Sequence, residues 1–490
     1  MKLILRGHEY RYACEQMLLT LFPGQRPVYG GETDDVAELA LSRGEKYLTA
    51  TAKLTWQGGT YKAAARTLMT ELTGEKLADD RVSQRVLKLA FFRAGCAALG
   101  REPAWGALTG VRPVKLPTKA ILAGQTEAQA ARYLRETYHV TPDRVELAMD
   151  CARASVSLIR ELKPEEVSLY VGIPFCPTRC AYCSFVSADV GKSLGMLEPF
   201  LDCLEKELAA AGENLAASGR KIRTIYMGGG TPTTLSAPQM DRLLTAMERR
   251  LDLSHCVEFT VEAGRPDTIT REKMAVLARH GVGRVSVNPQ TMADHVLAAM
   301  GRSHRAADIL RAYEDVRAAG RFDVNMDLIA GLPQDSVEGF RDTLEQVIAL
   351  APENITVHTL ALKKGSALMA EGGTFPIPEA VAEMLDLAWS RLRRAGYLPY
   401  YLYRQKYMSG GFENVGWCLP GKENQYNIIM MEELHSVLSL GGGGMTKLVD
   451  REKGSILRIN NPKYPKEYID RIEQVCAEKQ GLEWSAHEDQ

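Results

Sequence analysis

From residue 166 to about 363 the chain alternates between short apolar runs and longer stretches whose apolar residues recur every three or four positions. The apolar runs fall at 167–173, 222–228, 257–262, 284–288, 322–329 and 354–361, each with the length and composition of a strand. Between them the spacing predicts helices over about 196–216, 237–250, 270–280, 292–318 and 336–350. In the first of these, Met196, Leu197, Phe200, Leu201, Leu204 and Leu208 share one face. Strands that alternate with helices build a parallel sheet with helices outside it, so the fold class is α/β. Such sheets gather their ligand loops at the carboxyl ends of the strands.

The flanks have a different texture. Residues 1–165 read as an α+β domain, with a strand at Met1–Arg6, a helix over His8–Leu21 and a hairpin over 46–63 turning at Gly58-Gly59. Further helices are expected at about 61–72, 82–99, 127–138 and 143–162. Pro103–Pro113 is too rich in Gly and Pro for a regular element and reads as an ordered connector. After the core (166–363) come Gly365, Gly372, Gly373, Pro376 and Pro378, then a helix over about 379–395 and an aromatic stretch from Tyr397 to Tyr407. Residues 364–490 are expected to form a smaller third domain that closes over one end of the core.

A length of 490 residues accommodates two or three domains. The formal charge of −1 argues against a dedicated nucleic-acid binder, although a local basic pocket remains compatible with it. The first residues carry too short an apolar run for a signal peptide, and no run is long enough to span a bilayer, so a cytoplasmic location is expected. Seven of the ten cysteines are scattered singly, as buried small hydrophobes usually are. Cys176, Cys180 and Cys183 instead sit together where the first core strand ends. Iron–sulfur clusters normally take four cysteines, so three would leave one iron open for chemistry. Zinc needs four ligands and finds no second pair nearby, and a redox dithiol would leave Cys176 unused; these stand as the weaker readings.

Other candidate residues follow the strand-end rule. The second strand closes in Gly228-Gly229-Gly230-Thr231-Pro232-Thr233, which allows close backbone approach to a ligand. Glu262, Gln290 and Asp327 come one per successive strand, and Asp327, set in an apolar run, needs a partner. Gly416–Lys422 begins like a phosphate loop, but Glu423 replaces the required Ser or Thr and no strand precedes it.

The CxxxCxxC spacing with Tyr182 before the last cysteine resembles the radical S-adenosylmethionine (SAM) enzymes. That resemblance implies a partial (β/α)6 barrel in which Cys176, Cys180 and Cys183 hold a [4Fe–4S] cluster. It also implies SAM on the open iron, cleaved to a 5′-deoxyadenosyl radical. Tyr170–Cys176, the GGGTPT run, the spacing from Gln290 through Arg302 to Asp327, and Asp327–Gln334 are similar to the oxygen-independent coproporphyrinogen III oxidase family. Trp105–Pro113, Tyr403–Lys406, Glu413–Gly416, Tyr426–Ile428 and Gly441–Gly444 favour its HemZ branch. The resemblance implies that Tyr170, Gly229, Gly230, Thr231, Glu262, Gln290, Arg302, Asp327 and Ala361 line the SAM site. It further implies a tetrapyrrole substrate, coproporphyrinogen III or haem, and an electron donor such as flavodoxin or ferredoxin. The implied reaction is oxidative decarboxylation of coproporphyrinogen III propionates to protoporphyrinogen IX. Arg112, Arg404 and Lys406 are candidates to grip propionates, and Tyr401 and Tyr403 to stack on the ring. The decarboxylating members carry a further cysteine two residues after the third, where this chain has Phe185. Relatives lacking that cysteine include haem chaperones and radical enzymes acting on haem, so both alternatives stand beside the oxidase reading.

Overall fold

The structure, a computed structural model, describes residues 1–178, 180–181, 183, 188–189, 193–361, 377–405, 409–450 and 454–484. The chain forms two compact units, one of Met1–Arg153 with Leu402–Glu413 and one of Ala154–Tyr401 with Asn414–Gln490.

In the first unit, β1 (Lys2–Arg6) runs parallel to β2 (Val36–Arg43), and β3 (Tyr47–Trp56) and β4 (Gly59–Leu68) continue the sheet antiparallel. Met17, Leu18 and Leu21 of the helix Arg11–Leu21 meet Val86, Leu87 and Phe91 of the helix Lys76–Leu99 in the core over this sheet. The helix expected over 61–72 is a correction: those residues are mostly β4. Gln57 and Gly58 take φ of 50° and 79°, which turns the chain back sharply. Every residue from Gly59 to Leu68 then pairs with β3, and the ladder outweighs the helix preference of Ala63-Ala64-Ala65. The connector 103–113 is ordered as expected. Trp105 Nε1 donates to Glu413 Oε2 (2.7 Å), and Arg144 Nε donates to the other oxygen (2.8 Å). Arg404 belongs to this unit and is buried. It donates to the carbonyls of Leu108 and Gly411 and lies over the Trp105 ring, so its role here is structural. Lys406 lies outside the described residues.

The second unit is built on one large sheet. Its centre is six parallel strands in sheet order β12 (Asn354–Thr359), β11 (Asp323–Ala330), β10 (Arg284–Ser286), β9 (Glu258–Val261), β8 (Lys221–Gly229) and β5 (Glu166–Ile173). All five pairings within this set are parallel, and the strands are near-continuously buried, as a sheet covered on both faces requires. Helices Leu197–Ala217, Ala237–Arg250, Arg271–Arg279 and Val337–Leu350 lie where their periodicity puts them. The single helix expected over 292–318 is two, Asp294–Ala299 and Ala306–Ala319, and the break leaves Arg302 and His304 in the loop between them, their side chains buried. This is a partial (β/α)6 barrel.

The strands after residue 397 lengthen the same sheet at both edges. β14 (Glu413–Cys418) pairs antiparallel with β12 through Val415–Cys418, and β13 (Leu398–Arg404) lies beyond it. β15 (Val437–Gly441) pairs parallel with β5, followed by β16 (Met445–Asp450) and β17 (Ser455–Asn460). The carboxyl ends of β5, β8, β9, β10, β11 and β12 therefore lie at one end of the unit.

Candidate active site

Past Ile173 the chain forms β6 (Phe175–Cys176), which pairs with β7 (Ala188–Asp189) and places Cys176 half-buried. The Thr231 hydroxyl donates to Cys176 Sγ at 3.5 Å. Cys180 and Cys183 stay on one short turn, since the Cys183 N–H donates to the Cys180 carbonyl (3.1 Å). The neighbouring Ala181 N–H is tied to the Met300 carbonyl (3.2 Å). Arg179, Tyr182, Ser184 and Phe185 lie outside the described residues. Among the described residues these cysteines form no disulfide, and no three His, Cys, Asp or Glu side chains are grouped as a metal-ion site. Three thiols on one strand-end loop are of the donor type that an iron–sulfur cluster takes, one thiolate to an iron. The residues fit the group.

The glycine run closes the next strand end against the first. The Gly230 N–H donates to the Ile173 carbonyl (2.8 Å) and the Thr231 N–H to the Phe175 carbonyl (2.7 Å). A Cβ on Gly230 would overlap the Phe175 carbonyl and sit 2.8 Å from its nitrogen, both of them backbone. Only glycine allows this approach. Gly230→Ala is therefore expected to push Thr231 off Cys176 and to lower both iron retention and SAM affinity, read by iron per chain and calorimetry.

Two acids of similar placement differ in charge. Glu262 takes a hydrogen bond from the Tyr226 hydroxyl (2.5 Å). Burial nonetheless pushes its carboxyl up to about 7, aided by the nearby Asp327 and opposed by the Tyr226 bond. Asp327 is also desolvated, but His358 (3.7 Å) and Asn325 Nδ2 (2.8 Å) more than offset this and hold it below the usual carboxylate range. The partner that an acid inside an apolar run requires is thus His358 and Asn325. Gln290 adopts φ 67°, with its N–H donating to the Asp327 carbonyl (2.9 Å). Arg302 Nη1 donates to the Asn288 carbonyl (3.3 Å) and to His304 Nε2 (3.4 Å). Burial and the adjacent Arg302 push His304 down to about 4, so it is neutral at pH 7 and accepts that bond. The Asn288 side-chain oxygen accepts from the Asp327 N–H (3.3 Å), which joins the Gln290, Arg302 and Asp327 group. Tyr170 stacks with Tyr226 (6.3 Å) and Tyr426 (6.5 Å). Ala361 follows Leu360, whose N–H is held by the Ala330 carbonyl at the end of β11 (3.0 Å).

Sequence reasoning missed Tyr226, Asn288, His358 and Arg265. Tyr226 carried a signal, since it lies two residues before Gly228 and so faces the same side of β8. The other three had none that a single sequence shows. Tyr401 is buried, its ring filling the space a Cβ on Gly416 would take, which leaves it a packing role.

The radical SAM superfamily model matches residues 170–347, the stretch that carries the ends of β5, β8, β9, β10 and β11. The oxygen-independent coproporphyrinogen-III oxidase-like protein HemZ of Bacillus subtilis is 38% identical over 458 residues, covering 92% of this chain and 91% of that protein. The chain belongs to the HemZ family of radical SAM proteins. This family uses a [4Fe–4S] cluster and SAM, the two groups that the strand-end loops of the HemZ-family chain fit. The heme chaperone HemW of Escherichia coli is 28% identical over 63% of this chain and 77% of its own. The structure of coproporphyrinogen III oxidase (HemN) from Escherichia coli aligns with a TM-score of 0.52 at 21% identity, over 66% of this chain and 72% of that one, which shows the shared fold. Among the described residues no helix of this HemZ-family chain is long and apolar enough to cross a membrane.

Proposed function

We propose that this HemZ-family protein is a radical SAM oxidoreductase acting on a tetrapyrrole, with oxidative decarboxylation of coproporphyrinogen III propionates to protoporphyrinogen IX as its reaction. The likeness to HemZ along nearly the whole chain is the observation that carries this reading. When bound, the cluster and SAM supply one-electron chemistry that ends in a hydrogen-abstracting carbon radical. The protein's part is to place them and to keep competing reactions out. Cys176, Cys180 and Cys183 hold the cluster. Tyr170, Gly229, Gly230, Thr231, Glu262, Gln290, Arg302, Asp327 and Ala361 hold SAM. Each round removes a hydrogen atom, CO2 and one electron from a propionate and leaves a vinyl group. Reducing electrons come from a small donor such as flavodoxin or ferredoxin.

A second reading is favoured by Phe185 in the further-cysteine position and by the HemW relatives, whose name is heme chaperone. In it the chain retains the cluster but carries haem, or modifies it by radical chemistry. Anaerobic incubation with SAM and a one-electron reductant, run in parallel with coproporphyrinogen III and with haem, separates these. The oxidase gives CO2, a vinyl product and 5′-deoxyadenosine; stable stoichiometric haem binding without turnover rejects it in favour of the chaperone. Consumption of haem selects the modifying enzyme.

Glu262 gives the SAM site a pH signature. Its carboxyl, held near 7, must ionise to accept from the ribose hydroxyls or amino group of SAM, so affinity is expected to rise as pH passes upward through 7. Stability moves the other way. The folded carboxyl is raised above its unfolded value, so its contribution is full below about pH 4.3 and is lost as pH rises through about 7. Glu262→Gln should therefore melt higher than the parent at pH 8, match it near pH 4, and bind SAM weakly at every pH. Equal melting at pH 8 would contradict the raised carboxyl.

A further inference from the structure

Arg265 stands just beyond β9 and is 4% exposed. Its Nε and Nη2 fork onto the two oxygens of Asp267 (3.0 and 2.9 Å). That fork fixes the plane of the guanidinium and aims the remaining nitrogen, Nη1, at the cysteine loop. Nη1 donates to the Thr178 carbonyl (3.1 Å), to the Thr178 hydroxyl (2.7 Å) and to Cys180 Sγ (3.9 Å). The base of the arrangement is itself tied down, because the Arg265 carbonyl accepts from the Thr268 N–H (3.0 Å) and hydroxyl (2.8 Å). Asp267 is 29% exposed at its side chain and the guanidinium 5%, so the acid faces water while the cation faces the loop.

A buried cation oriented this firmly does more than fill space. Burying a guanidinium is expensive unless its nitrogens find acceptors, and here one carboxylate and one loop supply them to all three. Of the three cysteines, Cys180 is the one whose sulfur receives this charged donor. Hydrogen bonds to cluster sulfurs and local net charge set the reduction potential of an iron–sulfur centre. A charge-assisted N–H···S bond stabilises the more negative, reduced state more than the oxidised one.

We propose that Arg265 is a positioning residue of the cluster: it grips the loop at Thr178 and, by donating to the Cys180 thiolate, makes the cluster easier to reduce. The inference rests on the assignment of Cys176, Cys180 and Cys183 as cluster ligands. Asp267 is the brace that turns the guanidinium toward the loop.

The test compares the full chain with Arg265→Gln and Arg265→Lys, each reconstituted with iron and sulfide. Iron per chain, the thermal midpoint and the cluster potential by EPR-monitored titration are read without SAM or substrate. Arg265→Gln is expected to be about tenfold harder to reduce, a shift of 59 mV to more negative potential for a one-electron couple. Arg265→Lys, which keeps a cation but loses the fork, should fall between. A potential equal to the parent's in whichever variant retains iron overturns the proposal. Loss of iron from both variants at an unchanged thermal midpoint supports the grip on the loop; loss of iron with an equal fall in thermal midpoint overturns it in favour of a general packing role. If the unsubstituted chain itself takes up no cluster, the ligand assignment fails rather than the role of Arg265.

Discussion

Cys176→Ala yields a folded chain that holds no intact [4Fe–4S] cluster and produces no 5′-deoxyadenosine from SAM. On the proposed assignment of Cys176, Cys180 and Cys183 as the ligands, the change removes one of three thiolates, and the remaining pair cannot define the site. Folding should survive. Cys176 is half-buried at the end of a two-residue strand, where its sulfur accepts a hydrogen bond from the Thr231 hydroxyl. The appropriate controls are the other cysteines. Burial pushes the Cys14 and Cys96 thiols up to about 12 and those of Cys256 and Cys476 to about 11, so they are protonated at neutral pH. Cys256→Ala should keep full iron and full SAM cleavage. Iron and sulfide content, the EPR spectrum of the reduced protein and 5′-deoxyadenosine by chromatography read the outcome. Production of 5′-deoxyadenosine by the Cys176→Ala chain would remove the radical SAM reading of this loop.

The core was legible because its strands are buried on both faces and so appear as short, largely apolar runs. Val167–Ile173 and Ile222–Met227 could be read from composition alone, and the polar residues that interrupt or end such runs, Glu262 and Asp327, stood out against them. Local pattern failed where a distant partner decides. Tyr61–Leu68 carries an alanine run that suits a helix, and only its pairing with β3 makes it a strand. Residues 292–318 keep helical spacing on either side of Gly301–Arg305, so the break that frees Arg302 and His304 does not show in the periodicity. β14 and β15 find their places beside β12 and β5 through residues tens to hundreds of positions away, and no spacing within 413–441 encodes that. The same reason hid Arg265 and His358. Each matters through a group on another strand end, and each looks in sequence like an ordinary polar residue.

Glu207→Ala is expected to lower stability by about 3–5 kcal/mol, the range for removing one partner of a buried ion pair. Glu207 and Lys479 are 0% and 2% exposed and 3.6 Å apart. Desolvation pushes the Glu207 carboxyl up and the Lys479 ammonium down, while their mutual attraction opposes both shifts. The carboxylate also accepts from the Gly441 N–H (2.7 Å), Asn461 Nδ2 (2.7 Å) and the Tyr468 hydroxyl (2.6 Å). Truncation therefore leaves a buried cation without its counter-charge, held by the Thr446 hydroxyl (3.3 Å) and Asn461 Oδ1 (3.0 Å), and takes an acceptor from three donors. Replacing Glu207 by Leu together with Lys479 by Met should cost far less, because two buried charges leave together. The two variants should nevertheless share a defect at the active site. Gly441 pairs with Gly172 and the Gly442 N–H donates to the Gly172 carbonyl (3.2 Å), two residues before Pro174 and four before Cys176. Glu207 and Asn461 hold that turn from behind, Asn461 Nδ2 also donating to the Gly441 carbonyl (2.9 Å). With the Gly441 N–H deprived of its acceptor, the β5 end loosens even in a chain that stays folded. Denaturant unfolding should separate the single from the double variant, while iron retention after gel filtration should be reduced in both. Parental iron retention in the double variant would show that the cysteine loop does not depend on this buried carboxylate.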